Sequence, residues 1–202
     1  MMKYINENNI DSSPIRQFTN WYYEAIKTKV PFYDAMALST STKDGKPSAR
    51  MVLLKSFDDK GFVFFTNSLS RKGKELSTNP KASLIFFWNQ LGKQIRIEGK
   101  AIKINDAESD EYFASRPRGS QLGAWASQQS SILADRQELS DKINELKLKF
   151  RNKQIPRPAH WHGYRIDPER IEFWQNRESR LHNRFLYTKN IKGQWKHARL
   201  AP

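Results

Sequence analysis

At residue 35 the texture of this chain changes, and the change fixes most of what it can fold into. From there to residue 104, short runs rich in β-branched and aromatic residues are cut by Asp-Gly, Asp-Lys-Gly and Asn-Pro, the punctuation of strands and turns. The predicted strands are 35–40, 48–57, 62–66, 82–88 and 94–104, with a hairpin turn at Lys43-Asp44-Gly45-Lys46. Runs such as Leu84-Ile85-Phe86-Phe87-Trp88 are apolar on both faces. That fits a closed or nearly closed barrel better than a sheet wet on one side.

Helices flank these strands. Residues 1–12, rich in Asn, Asp and Ser, lack apolar periodicity and read as a mobile leader. Ser13 as N-cap and Pro14 as first helical residue precede Ile15, Phe18, Tyr22, Ala25 and Ile26, one apolar helical face. A short helix starts after Ser70. Asp106 caps another, which carries Tyr112 and Phe113 and ends at Pro117, while Leu139, Ile143, Leu146 and Phe150 mark a longer amphipathic helix. Strands return at 161–166, 170–175, 184–188 and 194–199, separated by Asp167-Pro168 and Lys192-Gly193. With no internal repeat or low-complexity linker, residues 13–202 read as one mainly β domain with flanking helices, an α+β fold.

Composition narrows the function. The 202 residues include 35 Lys and Arg against 21 Asp and Glu, a formal charge of +14 that attracts anions of any kind. Much of it is solvated helix surface, as in residues 146–153. A basic nucleic-acid-binding module is one reading of that charge, but the bases are dispersed and no nucleic-acid motif is present. The absence of cysteine removes disulfides, thiolate metal sites and a cysteine nucleophile, and fits a cytoplasmic address. No apolar run has the length of a membrane span, so no membrane partner is expected. There is no Gly-x-Gly-x-x-Gly and no P-loop. His160 and His162 lack a third ligand of suitable spacing, so no metal is expected.

Four constellations carry possible chemistry. In Arg50-Met51-Val52-Leu53-Leu54-Lys55 a cation stands at each end of an apolar run. Their opposite strand parity points to two separate anionic partners, or to two cations snorkelling at the sheet rims. Phe65-Thr66-Asn67-Ser68-Leu69-Ser70-Arg71-Lys72 runs from a strand into a helix start, a place for a phosphate or a plain Ser N-cap with solvated bases. Tyr112, Arg116, Arg118 and Ser120 gather phosphate-compatible donors at a helix end, where the helix dipole alone also accounts for Arg. Phe173-Trp174-Gln175 is followed by Arg180-Leu181-His182-Asn183-Arg184. If extended, Arg180, His182 and Arg184 share a face, suited to a planar anion or simply the polar face of an edge strand.

In this order the segments resemble the signature of the pyridoxamine 5′-phosphate oxidase family, from about Ser13 to Pro202. The matching motifs are Arg-x-x-Leu-Leu-Lys, Ser-Arg-Lys, Ser-Arg-Pro-Arg-x-Ser-Gln, Gly-Ala-Trp-x-Ser-x-Gln-Ser, Glu-Phe-Trp-Gln, Arg-Leu-His-x-Arg and Arg-Leu-x-Pro. The resemblance implies an FMN-binding split β-barrel of Greek-key type, a homodimer with FMN at the subunit interface, and a C-terminal dimerisation and substrate segment. Carried over motif by motif, it implies FMN contacts from Arg50, Met51, Val52, Leu53, Leu54, Lys55, Phe65, Thr66, Arg71, Lys72, Gln94, Gln129, Ser130, Trp174 and Arg184. The substrate phosphate would meet Lys55, Tyr112, Arg116 and Ser120, and the catalytic pair Arg180 and His182 would hold the pyridine ring over the flavin.

The implied reaction oxidises pyridoxamine or pyridoxine 5′-phosphate to pyridoxal 5′-phosphate. Substrate C4′ gives a hydride to the flavin, O2 reoxidises it with release of H2O2, and the imine from the amine substrate hydrolyses. Phe65 stands where many relatives carry Tyr, and the leader lacks the Arg-containing segment that folds over the substrate in some of them. The rival of the same fold is a phenazine-pathway flavin oxidase. Lys55 and the Arg116 motif speak against it, because its substrate has no phosphate.

Overall fold

Burial alternates along the strands as a barrel wall requires. The computed structural model describes residues 4–202. In β1 (Ala35–Ser41) Met36, Leu38 and Thr40 point inward, whereas β4 (Gly61–Asn67) is buried along nearly its whole length. With β2 (Pro47–Leu53), β3 (Ser56–Asp58), β5 (Lys81–Trp88), β6 (Lys93–Lys103) and β7 (Trp161–Gln175) they form an antiparallel sheet in the order β2-β1-β5-β6-β7-β4-β3. The chain joins the two ends of that order, because β2 passes through Leu54 and Lys55 into β3. Leu54 N donates to Asp34 O at 2.8 Å and Lys55 N to Val63 O at 2.9 Å. The run predicted as one strand, 48–57, is therefore two, kinked where the sheet curls on itself.

α1 (Pro14–Lys27) lies against the barrel core. Ser13 Oγ accepts from Arg16 N and Pro14 occupies the first turn, as the sequence predicts. The fully buried Phe18 meets Phe57 and Phe62 edge-on, each at 4.8 Å. Burial of such a ring is worth about 2 to 3 kcal/mol.

β7 is one strand where the sequence suggests two, and it forks. One of its edges pairs with β6 over Tyr164 to Gln175. The other pairs with β4 over Trp161 to Ile166 and with β8 (Asn183–Lys189) over Arg170 to Gln175, and β8 continues to β9 (Trp195–Arg199). A register shift at Glu98/Gly99 faces Asp167-Pro168, where proline has no N–H to give a ladder. Gly99 permits the close approach: a Cβ there would sit 2.0 Å from Asp167 O. The Asp-Pro pair is thus the split in the barrel rather than a strand end.

A second core, Phe113, Leu122, Phe150, Ile155 and Trp161, lies beneath α3 (Asp106–Ser115), α4 (Arg118–Ala126) and α5 (Arg136–Lys149). Asn105, not Asp106, caps α3, accepting from Glu108 N at 2.7 Å. α4 has no apolar periodicity to announce it and contains two glycines. In α5 no residue is fully buried, although Leu146 packs on the second core. α2 (Arg71–Thr78) follows the predicted Ser70 cap.

The leader differs from expectation. Its first three residues lie outside the described residues, but residues 4–12 are packed rather than loose. Ile5 and Ile10 are buried, Ile5 N donates to Gln175 Oε1 at 2.8 Å, and Tyr187 Oη donates to Asp11 O. Arg199 and Glu7 form an ion pair. Long-range partners on β7, β8 and β9 hold the segment, and these are invisible to local periodicity. Among the described residues no helix is long and apolar enough to cross a membrane.

Candidate functional site

The kink after β2, the end of β4, the first turn of α2 and the end of α3 converge on a cavity of about 280 Å³. Its lining is Met51, Val52, Leu53, Lys55, Phe65, Thr66, Lys72, Tyr112, Arg116, Gln129 and Trp161. Aromatic rings form one wall. Phe65 stacks on Tyr112 at 4.1 Å and on Trp161 at 5.0 Å, all nearly parallel. Gly163, opposite Phe65 on β7, lets the ring seat: a Cβ there would fall 2.8 Å from Phe65 Cε1.

The cations of this cavity are of two kinds. Lys72 is buried at 7% exposure, and among the described residues its ammonium donates only to neutral oxygens: Thr66 Oγ1 at 3.2 Å, Ser70 Oγ at 3.4 Å and Gln129 Oε1 at 3.1 Å. Burial, then the charge of Arg50, pushes its pKa down. Arg116 has no acidic partner among the described residues, and its buried Nη1 has no hydrogen-bond partner there. Burial lowers its pKa also, and raises that of Tyr112. Arg50 and Lys55, by contrast, are paired. Arg50 Nη2 lies 3.3 Å from Glu75 Oε2 and its Nη1 donates to Thr40 Oγ1 at 2.5 Å, while Lys55 Nζ lies 3.3 Å from Asp34 Oδ2.

Neighbouring space takes further predicted residues. Arg71, Gln129 and Ser130 line an adjoining cavity of about 750 Å³, and Ser120 lines one of about 310 Å³ together with Arg116 and Trp161. Leu54, predicted among the contacts, instead buries its side chain in the barrel core. Arg118 of the third constellation caps α5, donating to Phe150 O and Lys153 O. Trp161 was not predicted. It is placed by the pairing of β7 with β4, a long-range register that the local sequence does not reveal.

The remaining residues form a second group. Gln94, Trp174 and Arg184 are cross-strand neighbours on β6, β7 and β8. Arg184 Nε donates to Glu172 Oε1 at 2.8 Å, Arg96 Nη2 lies 2.8 Å from Glu172 Oε2, and Glu172 is only 3% exposed. His182 packs on Trp174 at 4.5 Å, and its Nδ1 accepts from Arg177 N at 3.2 Å, which puts the proton of the neutral ring on Nε2. The extended path predicted for 180–184 begins only at Asn183. Ser179 and Arg180 instead have φ of 54° and 62°, a strained left-handed turn in non-glycine residues.

These two groups lie towards opposite ends of β7. Gly163 pairs with Phe65 and Trp174 with Gln94, so roughly 35 Å of strand, at about 3.3 Å per residue, separates them. Along β7 the two groups therefore stand well apart.

Comparison with known proteins places this geometry. Residues 23–150 match the family described as Pyridoxamine 5′-phosphate oxidase, and residues 161–202 match the Pyridoxine 5′-phosphate oxidase C-terminal dimerisation region. The chain is 52% identical over 198 residues to a pyridoxine/pyridoxamine 5′-phosphate oxidase of Trichormus variabilis, covering 98% of this chain and 92% of the relative. A protein of the same description from Rubrobacter xylanophilus is 52% identical over 196 residues, covering 97% of this chain and 90% of that one. Among solved structures, PhzG from Burkholderia lata in complex with tetrahydrophenazine-1-carboxylic acid superposes with a TM-score of 0.91 at 35% identity, covering 96% and 95% of the two chains. A pyridoxamine 5′-phosphate oxidase-related, FMN binding protein from Nostoc punctiforme shares the fold, with a TM-score of 0.76 at 16% identity over 95% of this chain and 100% of that one. With its barrel, its converging cations and its full-length relatives in agreement, the chain belongs to the pyridoxamine 5′-phosphate oxidase family.

Proposed function

We propose that the protein is an FMN-dependent oxidase that converts pyridoxamine 5′-phosphate and pyridoxine 5′-phosphate to pyridoxal 5′-phosphate, with O2 reduced to H2O2, and acts as a homodimer. The observation that carries this reading is the pair of cations without acidic partners among the described residues, the buried Lys72 and the half-buried Arg116, lining one aromatic-walled cavity. A buried cation left unneutralised is costly unless an anion arrives, and the proposed site would hold two phosphate-bearing molecules, cofactor and substrate.

The residues present fit FMN. Lys72, Thr66 and Gln129 would hold its phosphate with Arg50, Arg71 and Ser130 nearby, each charged hydrogen bond worth about 1.5 to 3 kcal/mol. Bound there, FMN would supply the two-electron redox chemistry between the substrate and O2. The chain supplies position. Lys55, Tyr112, Arg116 and Ser120 would receive the substrate phosphate, so Arg50 and Lys55 serve different anions. Arg180 and His182 would orient the pyridine ring, with His182 Nε2–H free to donate because Nδ1 already accepts. Gln94, Trp174 and Arg184 would come from a second copy of the chain, which accounts for the separation along β7.

A second reading has its own support, since PhzG superposes closely. The phosphate-directed cations Lys55 and Arg116 favour the pyridoxine-type substrate over a tricyclic acid. The test is anaerobic. Protein loaded with FMN is mixed with either phosphorylated substrate, and the visible flavin absorbance is followed. Bleaching that reverses in air is expected. Flavin that stays oxidised with both substrates would direct attention to the phenazine-type reading, and failure to bind flavin would overturn the proposal.

A further inference from the structure

Arg116 is held differently from the other half-buried arginines of this chain. Glu75 holds Arg50, Asp106 and Asp110 hold Arg157, Asp58 holds Arg165, and Glu172 holds Arg184. Arg116 has rings instead: its guanidinium carbon lies 4.8 Å from the Trp161 ring centre and 5.7 Å from that of Phe113. An acid would fix the guanidinium but cancel its charge. An aromatic face attracts the cation and orients its plane while leaving the net charge and the N–H edge available.

Trp161 itself has little room to turn. It is 7% exposed, edge-on to Phe113 at 5.2 Å, and parallel to Phe65 and Tyr112. Its backbone N donates to Pro158 O at 2.9 Å, its carbonyl accepts from Arg157 Nη1 at 2.8 Å, and it sits opposite Asn67 on β4. It also lines both cavities that Arg116 lines. One rigid indole therefore touches the guanidinium and the slab that carries the Tyr112 phenol.

We infer that Trp161 is a positioning residue for substrate recognition: its indole face holds the Arg116 guanidinium in place of an acid, so that an undiminished positive charge meets the phosphate of the substrate. The inference rests on the reading that Arg116 receives that phosphate. It assigns Trp161 no contact with the reacting atoms. Its signature is an effect on phosphate-dependent affinity that follows the electron density of the ring, not merely its volume.

The experiment uses the FMN-loaded dimer and pyridoxine 5′-phosphate. Trp161→Leu is expected to raise KM roughly ten- to thirty-fold, the span of a desolvated cation–π contact, with kcat and FMN affinity changed less than about threefold. Trp161→Phe, which keeps a weaker ring, should recover most of the loss. Because the leucine variant also opens space in the second core, the decisive series replaces Trp161 with fluorinated tryptophans, which keep the indole shape and deplete its face. KM should rise stepwise with fluorination while kcat stays level. A flat series, or equal losses in the leucine and phenylalanine variants, overturns the inference. Arg116→Ala separates the two levels: an unchanged KM there would refute the phosphate role of Arg116 itself, whereas a raised KM beside a flat fluorination series would refute Trp161 alone.

Discussion

In the group built by β4, α2 and α3, the buried Lys72 and the half-buried Arg116 have no carboxylate partner among the described residues. In the group built by β6, β7 and β8, Arg96 and Arg184 both lie 2.8 Å from the carboxylate of Glu172. The first arrangement leaves its cations open to an anion, whereas in the second Glu172 already pairs with both arginines and so ties the strands together. Charge therefore separates cations left open to an incoming anion from cations already paired within the fold. The same distinction applies beside the first group, where Arg50 is tied to Glu75.

Substitution at the two extremes is the most forceful way to break that contrast. Lys72→Met is expected to weaken FMN binding by about 100-fold while leaving the FMN-free protein as stable as before or more so, because an unpaired buried cation is removed. Flavin fluorescence titration and denaturant unfolding read the two effects. Glu172→Gln should do the reverse, lowering unfolding free energy by about 2 kcal/mol; we discount the usual cost of a broken buried pair because both arginines are partly solvated. Equal stability losses in the two variants would erase the contrast.

Acid offers a gentler probe of the Arg50 pairing. Burial of Glu75 favours its neutral form, but hydrogen bonds from Ser48, Thr40 and Arg71 and the charge of Arg50 outweigh this and hold its pKa at about 2, below the ordinary 4.5. A folded-state pKa that is depressed stabilises the fold fully above the unfolded value and loses that contribution as pH falls. Unfolding in urea should therefore show stability falling between pH 4.5 and about 2, and Glu75→Gln should flatten that limb. The smallest expected effect is at Ser179→Gly, where relief of a left-handed φ of 54° should add up to about 1 kcal/mol of stability. Since Arg180 and His182 share that turn, kcat should fall as stability rises.

Local chemistry made some of this readable in advance. The Ser13-Pro14 and Ser70 caps, the barrel strands and the crowd of donors around Lys72 and Arg116 are written in short stretches of chain. What escaped is decided at a distance. β7 reads as two strands because Asp167-Pro168 looks like a terminator, yet Gly99 on β6 gives the bulge room and the strand continues. The leader looks loose because its anchors, Gln175, Tyr187 and Arg199, lie at the far end of the sequence. The extended segment expected at 180–184 gives way to the turn at Ser179 and Arg180, where strain overrides strand propensity. Trp161 belongs to the same class, since only the register with β4 shows which cavity it faces.

The central claim, that each site takes one half from each of two chains, is tested most directly with a mixed dimer. Lys72→Met disables the first half and Arg180→Ala the second, so each homodimer should be nearly inactive. In a purified heterodimer one site would collect both defects and the other none, giving about half the turnover of the wild-type dimer if halves are shared across the interface. A heterodimer as inactive as its parents would contradict the account.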